Sequence, residues 1–230
     1  KAARATGKTP DLLVDLVGPE IRIGDVKEPI HLKEGEEIIV GKGGIPIPFY
    51  IEEKIEEGQI LKLDDGKIEL KVCRFRQTES ANAHSNRKKI ICCVQKGGIL
   101  KSRKSLAVPG LSIQNPTLTA QDYQNLELAK QYGVTEVMLP FVRNKEDLCC
   151  LKDTLAKYHS EEIRIFAKIE NMDGVEKLPE LIPHCDEIVI ARGDLGNAVP
   201  LSYLPVVQHQ IADLCRTQNK PFMIVTQMLN

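Results

Sequence analysis

Three side chains able to do chemistry stand at the ends of two successive apolar segments. Lys168 and Glu170 close the segment IRIFAKIE, and Asp194 follows the next segment, DEIVIAR. Lys168 and Glu170 can point the same way because strand side chains alternate with a period of two. If the two segments are neighbouring parallel strands, their carboxyl ends bring Glu170 and Asp194 together. Two carboxylates supply the oxygen ligands that Mg²⁺ or Mn²⁺ prefers, and the lysine can offset charge in a transition state.

Three more residues extend this group of strand ends. Thr226 ends the following segment, PFMIVTQ, while Gly193 and Gly196 would let backbone N–H groups approach an anion closely. Taken alone, the Lys-Ile-Glu triplet is more often a solvated strand edge or a salt bridge, and Arg-Gly-Asp is an adhesion tripeptide that is common by chance. The joint occurrence on three successive strand ends favours a metal and anion site.

The second half of the chain has the alternating sequence pattern that is typical of repeated βα units. From about Thr117, short continuous apolar strands alternate with helical stretches, and strand starts recur at intervals of about 25–35 residues. One helix is expected to begin at Thr119, with Asp122 at capping-box spacing, and another at Asn144. Repeated βα units form an open doubly wound sheet or a (β/α)₈ barrel. The Gly-x-Gly-x-x-Gly turn of a dinucleotide fold is missing, so we predict an α/β fold, a partial (β/α)₈ TIM barrel.

The first half reads as one barrel strand followed by an inserted β unit. LLVDLVG is an apolar strand, and the segments after it alternate and are joined by glycine turns. LKLDDGKIELKV predicts a hairpin with Asp65 and Gly66 at its bend. We therefore divide the chain into a barrel segment at 1–22, an all-β domain at 23–108 and barrel βα units at 109–230. Five of eight barrel strands are accounted for, so we expect the middle of a longer protein.

Charge and cysteine content exclude several classes of function. The chain has 31 basic and 32 acidic residues and a formal net charge of −1, which argues against a nucleic-acid partner. No apolar run approaches the roughly 18–20 residues of a membrane span. The seven cysteines are odd in number and contain no Cys-x-x-Cys pair, which favours reduced thiols in a cytoplasmic protein.

Other basic residues of the chain are weaker candidates for binding phosphate. Lys101, Arg103 and Lys104 lie where the β unit returns to the barrel, from which they could reach a phosphate. The run SNRKK at 85–89 is interpreted as a solvated loop. GKT at 7–9 is also interpreted as a loop, because it lacks the earlier glycine of a P-loop.

Several motifs, in order and with suitable spacing, resemble the pyruvate kinase family. They are GPEIRIG, KIENMDG, IARGDLG and KPFMIVTQML, together with LDDGKIEL and LKSRKSLAVPG, which resemble parts of the lid-like B domain. The resemblance covers nearly the whole chain and implies transfer of a phosphoryl group from phosphoenolpyruvate to ADP, giving pyruvate and ATP in glycolysis. It also implies Mg²⁺ (or Mn²⁺) and K⁺ as cofactors, a cytoplasmic location and a homo-oligomer, a tetramer in the family.

The resemblance assigns roles to the residues at the strand ends. Glu170 and Asp194 would hold Mg²⁺, and Lys168 would stabilise the transferring phosphoryl group. The backbone N–H groups near Gly193 and Asp194, with the Thr226 hydroxyl, would hold the substrate carboxylate, and Thr226 would belong to the proton-delivery path. Positioning and charge neutralisation carry most of the catalysis in phosphoryl transfer, which suits such a set.

Three further residues match family positions outside this group. Asp15 matches a potassium ligand, and Glu20 matches the acidic residue of potassium-dependent members. Lys104 matches a lysine that approaches the nucleotide phosphates from the lid.

Two alternative functions stay open, and departures from the family pattern motivate the first. Leu16 and Val17 stand where the family has threonine and lysine, and Pro140 stands where serine is common. A catalytically impaired, metabolite-binding homologue is therefore one alternative. The other is a Mg²⁺-dependent enolate lyase or aldolase, whose barrels also use a Glu and an Asp on neighbouring strands. The β insertion and GPEIR argue against it, since such lyases need no nucleotide lid.

Overall fold

The computed structural model describes Gly7 and residues 10–77, 88–111 and 115–226. The chain divides into two compact units, one of Lys1–Pro19 with Gln114–Asn230 and the other of Glu20–Ile113. No helix within the described ranges is long and apolar enough to cross a membrane. Residues 8 and 9 of the GKT triplet and residues 85–87 of the SNRKK run lie outside the described residues.

The described residues form twelve strands, seven α-helices and one 3₁₀ turn. The strands are β1 (Leu13–Asp15), β2 (Ile30–Leu32), β3 (Glu37–Val40), β4 (Ile60–Leu63), β5 (Ile68–Gln77), β6 (Lys88–Lys96), β7 (Gly98–Leu100), β8 (Leu106–Ala107), β9 (Glu136–Leu139), β10 (Arg164–Ile169), β11 (Glu187–Ala191) and β12 (Phe222–Val225). The helices are α1 (Phe49–Glu52), α2 (Ala120–Ala129), α3 (Lys145–Lys157), α4 (Met172–Glu176), α5 (Leu178–Leu181), α6 (Arg192–Ala198) and α7 (Leu204–Thr217), with a 3₁₀ turn at Ile182–His184.

The first unit is built on a parallel sheet, which confirms the α/β prediction. Its strands lie in the order β1-β9-β10-β11-β12, and every neighbouring pair is parallel. Both faces are covered, as the continuous apolar strands require. Val189 packs with Met138 and Phe166 on one face. Ile188 and Ile190 join a larger core that the helices complete on the other face.

Side-chain caps fix where the helices of this unit begin. The expected capping box at Thr119 is confirmed, since its hydroxyl accepts from the Asp122 N–H while the Asp122 carboxylate accepts from the Thr119 N–H. The same fully buried carboxylate also accepts from the N–H groups of Val17 at 2.7 Å and Gly18 at 3.0 Å. Asp122 therefore ties the turn after β1 to the start of α2. Asn144 caps α3 by accepting from the Asp147 N–H.

The second unit consists mainly of antiparallel sheet. Five strands lie in the order β3-β6-β5-β4-β8, and β2 pairs with β7. The predicted β4–β5 hairpin is confirmed, with Asp64, Asp65 and Gly66 at positive φ in its bend.

Two predictions for this unit need correction. It is not all-β, because α1 follows Pro48 in the segment read as strands. Prolines remove the N–H donors that a strand ladder needs, and burial of Ile51 fixes the helical turn. The SNRKK run is not wholly a loop either, because Lys88 and Lys89 begin β6.

Candidate functional site

The candidate residues lie at the carboxyl ends of adjacent parallel strands. Strand β10 pairs with β11 so that Ile169 lies opposite Ile190, and β11 pairs with β12 so that Ala191 lies opposite Val225. Glu170, Asp194 and Thr226 follow these strand ends. The parallel register therefore gathers them at one edge of the sheet.

Lys168 lies between two carboxylates. Its Nζ is 3.1 Å from Glu170 Oε1 and 3.4 Å from Asp15 Oδ2. Burial lowers the pKa of Lys168, but the two carboxylates outweigh that effect and raise the pKa above its ordinary value. The ammonium is thus held in its charged form. The side chain of Asp15 is 54% exposed, whereas that of Glu170 is 1% exposed, so Lys168 spans from the buried interior to the solvent side.

The environment of Glu170 shifts the pKa of its carboxyl group. Burial, reinforced by the negative charge of Asp194, raises the pKa of Glu170 to about 7 against the opposing effects of Lys168 and the Phe141 N–H. Its Oε2 accepts from that N–H at 2.8 Å. Its Oε1 is buried, lies 3.1 Å from the Lys168 ammonium, and receives no well-aligned hydrogen bond from the described residues.

This arrangement fits a divalent cation. The Glu170 carboxylate is buried and feels the negative charge of Asp194, while the single Lys168 ammonium beside it is shared with Asp15, so further positive charge would stabilise the group. No group of three or more His, Cys, Asp or Glu side chains suited to a metal occurs among the described residues. Glu170 and Asp194 could supply two ligands, with water or substrate oxygens as the others.

The segment RGDLG, whose glycines were expected to let backbone N–H groups approach an anion, is part of a helix. Helix α6 begins directly after β11, with Asp194 in its first turn and Leu195 fully buried beneath it. The Gly193 N–H donates to Thr226 Oγ1 at 3.0 Å. This contact brings together two groups that were predicted to hold a substrate carboxylate, although Gly193 and Gly196 belong to a helix. The Arg-Gly-Asp tripeptide accordingly lies in ordered helix, which is unlike an exposed adhesion loop.

Two residues at these strand ends have strained backbones. Phe141, just after β9, has φ of 55°, and Thr226, just after β12, has φ of 65°. Bulky or β-branched residues rarely adopt positive φ, and each instance costs of order 1–3 kcal/mol. Phe141 donates to Glu170, and Thr226 accepts from Gly193. The strain thus coincides with the two backbone contacts that organise the candidate site.

The residues that depart from the family pattern have defined environments. Leu16 is buried in the apolar core, and its N–H donates to Met138 O. Val17 is 51% exposed, so its side chain contributes neither charge nor core packing. Gly18 has φ of 62° and lies against the ring of Pro140, which a Cβ at Gly18 would strike. A glycine is therefore required opposite this proline.

Lys104 and Glu20 belong to the second unit. Lys104 Nζ lies 2.8 Å from Asp64 Oδ1 in the β4–β5 bend, and this ammonium lowers the pKa of Asp64. Glu20 pairs with Arg22 at 2.5 Å. Both residues thus have charged partners inside their own unit.

Comparison with known proteins covers the whole chain. The family described as "Pyruvate kinase, barrel domain" matches residues 1–230. The chain is 34% identical to a pyruvate kinase of Aeropyrum pernix, with all of this chain and 48% of that protein covered. It is 32% identical to pyruvate kinases of Staphylococcus saprophyticus and Geobacillus stearothermophilus, in each case with all of this chain and 39% of the relative covered. The chain thus spans less than half the length of these relatives.

Proposed function

The chain belongs to the pyruvate kinase family, and from that premise we propose that it transfers the phosphoryl group of phosphoenolpyruvate to ADP, giving pyruvate and ATP. The observation that carries the proposal is Lys168 between Asp15 and Glu170 at strand ends that also present Asp194 and Thr226. The parallel sheet is proposed to be part of a (β/α)₈ barrel, and the second unit its inserted B domain.

Glu170 and Asp194 are the residues that would hold Mg²⁺ or Mn²⁺. Such an ion, when bound, offsets negative charge on phosphoryl and carboxylate oxygens. The buried Oε1 of Glu170 supports this assignment, because the negative charge of Asp194 acts on it and its one cationic neighbour, Lys168, is shared with Asp15. The Phe141 N–H would hold Oε2 and so leave Oε1 as the ligand atom.

Lys168 would supply the positive charge that phosphoryl transfer needs. Its ammonium is fixed by two carboxylates, so no reorganisation is required as negative charge develops on the transferring group. The Thr226 hydroxyl and the Gly193 N–H would bind the substrate carboxylate, and Thr226 would also take part in proton delivery to the enolate. Exchange of the Gly193–Thr226 contact for contacts with the substrate would orient the latter.

The remaining assignments rest on the family likeness. Asp15 would contribute to a K⁺ site, for which its exposed carboxylate is accessible. Lys104, now paired with Asp64, would contact the nucleotide phosphates. A cytoplasmic homo-oligomer completes the proposal, with small metabolites as its partners and neither nucleic acid nor membrane.

One observation favours a second candidate, a metabolite-binding homologue with impaired catalysis. Val17 places an exposed apolar side chain where the family pattern has lysine, so a positive charge is missing. Such a protein would keep metal-dependent binding and lose turnover.

The deciding experiment uses the full-length gene product. Pyruvate formation is measured from phosphoenolpyruvate and ADP with Mg²⁺, with and without K⁺, and Mg²⁺-dependent phosphoenolpyruvate binding is measured by titration calorimetry. We expect turnover that K⁺ stimulates, and loss of binding in Glu170→Ala and Asp194→Ala but not in Glu176→Ala, which removes an exposed glutamate of α4. Binding without turnover would favour the impaired homologue. Unchanged binding in both site variants would refute the metal assignment.

A further inference from the structure

The strained loop after β9 is tied to the segment after β10 by a side chain outside the candidate site. Phe141 reaches Glu170 Oε2 through its N–H, so the position of that backbone sets the position of the carboxylate. The next residue, Val142, has a fully buried side chain, and its carbonyl accepts from Asn171 Nδ2 at 3.2 Å. Asn171 directly follows Glu170 in sequence.

The carboxamide of Asn171 is used at both ends. Its Oδ1 accepts from the Gly174 N–H at 2.8 Å, which caps the start of α4, while Nδ2 donates to the Val142 carbonyl. The side chain therefore caps its own helix and also donates a hydrogen bond to the loop after β9. Cap residues need only an acceptor, so the donated bond to Val142 is additional to the cap.

Gly174 reports how closely the two segments approach. A Cβ at this position would lie 2.5 Å from the Val142 carbonyl oxygen, well inside van der Waals contact. The carbonyl thus fits between Asn171 and Gly174 with no spare room. Farther along the loop, the Arg143 N–H and guanidinium both donate to the Asp147 carboxylate and fix the other side of Val142. A strained residue persists only where its surroundings determine its conformation in this way.

We infer that Asn171 is a positioning residue for the divalent cation, acting through Val142 and Phe141 on the carboxylate of Glu170. The inference rests on the proposed function, since it presumes that Glu170 is a metal ligand. Groups that orient a metal ligand without touching the metal commonly change metal affinity 10- to 100-fold when they are removed. Here the orienting group of the ligand is a backbone N–H, and Asn171 holds that N–H in place.

The chain offers a matched pair of variants for the test. Asn171→Ser keeps a hydroxyl able to cap α4 but is too short to donate to Val142 as well. Asn144→Ser makes the same change at the cap of α3, where Asn144 Oδ1 accepts from the Asp147 N–H at 3.0 Å. Gly174→Ala displaces the same carbonyl without altering Asn171.

The readouts are Mn²⁺ affinity, from the electron paramagnetic resonance signal of the free ion, and hydrogen exchange of a peptide containing the Phe141 amide in metal-free protein. We expect Asn171→Ser and Gly174→Ala to bind Mn²⁺ about 10-fold more weakly and to exchange this amide faster. Asn144→Ser is expected to stay within about twofold of the unmodified protein in both.

Each outcome decides between the two proposals. If the unmodified protein binds no Mn²⁺, the proposed metal site fails and the role of Asn171 fails with it. If it binds Mn²⁺ and Asn171→Ser matches Asn144→Ser in affinity and exchange, only the positioning role is overturned. Urea unfolding of all three variants checks that each remains folded under the conditions of measurement.

Discussion

Protonation of Glu170 makes the stability of the metal-free protein depend on pH in a calculable way. Burial raises the pKa of this carboxyl from 4.5 to about 7, so the folded protein binds the proton more tightly than the unfolded chain. The stability that this proton contributes is fully present below pH 4.5 and is lost as the pH rises to about 7. At about 1.4 kcal/mol per pH unit, the loss amounts to about 3 kcal/mol.

Substitution Glu170→Gln removes this titration while keeping the shape of the side chain. We expect urea unfolding in the presence of a chelator to give a free energy that falls between pH 4.5 and 7.5 more steeply in the unmodified protein than in the variant, by about 3 kcal/mol over the range. Glu176→Gln, at an exposed position, should follow the unmodified protein. At pH 8, added Mg²⁺ should stabilise the unmodified protein but not Glu170→Gln.

The two pH slopes decide whether Glu170 titrates differently in the folded and unfolded states. Parallel pH profiles for the unmodified protein and Glu170→Gln would show that the carboxyl titrates alike in the folded and unfolded states. That result would refute the conclusion that burial raises the pKa of Glu170 in the folded protein.

Lys168→Met should leave Mn²⁺ binding intact and lower the turnover number by at least 100-fold, because charge stabilisation of the transferring group is lost; steady-state kinetics beside a Mn²⁺ titration check this. Asp122→Asn should reduce the free energy of unfolding by about 3 kcal/mol in urea, since a buried acceptor of several hydrogen bonds gains a donor that faces other donors. Gly193→Ala places a Cβ 3.2 Å from Thr226 Oγ1 and should raise the KM for phosphoenolpyruvate about tenfold with little change in unfolding. Asp15→Asn should abolish stimulation by K⁺ while Mg²⁺-dependent binding persists, as titration calorimetry with each cation would show.

The strands of the parallel sheet were predictable because buried strands consist almost entirely of apolar side chains. Continuous apolar runs such as Ile188–Ile190, separated from one another by helical stretches, are typical of strands that are covered on both faces. Helix α6 was not predictable in this way, since two glycines in RGDLGNA lower the helix propensity. Burial of Leu195 and the direct continuation from β11 decide its conformation, and both are tertiary effects.

Some residues of the candidate site were also predictable from the sequence, and one contact was not. Lys168, Glu170 and Asp194 were singled out from the sequence because charged side chains at the ends of apolar strands are conspicuous. The Phe141 N–H was missed, although it contacts Glu170, because a backbone donor has no signature in residue type. Only the positive φ of Phe141 marks it, and a phenylalanine gives no sign of that in the sequence.

In the antiparallel unit the two chain ends lie side by side, and this affects the order in which the strands of the parallel sheet can pair. Strand β1 pairs with β9, its partner across the whole of that unit, so their pairing must first close a long loop. Backbone hydrogen bonds from Leu106 to Ile21 and from Ile23 to Lys104 bring the two ends of the unit side by side. Once the unit has folded, the loop between β1 and β9 shrinks from about 120 residues to about 36, and its closure costs roughly 1 kcal/mol less. Folding of the unit between β1 and β9 is therefore expected to lower the entropic cost of the strand pairing with the longest sequence separation in the sheet.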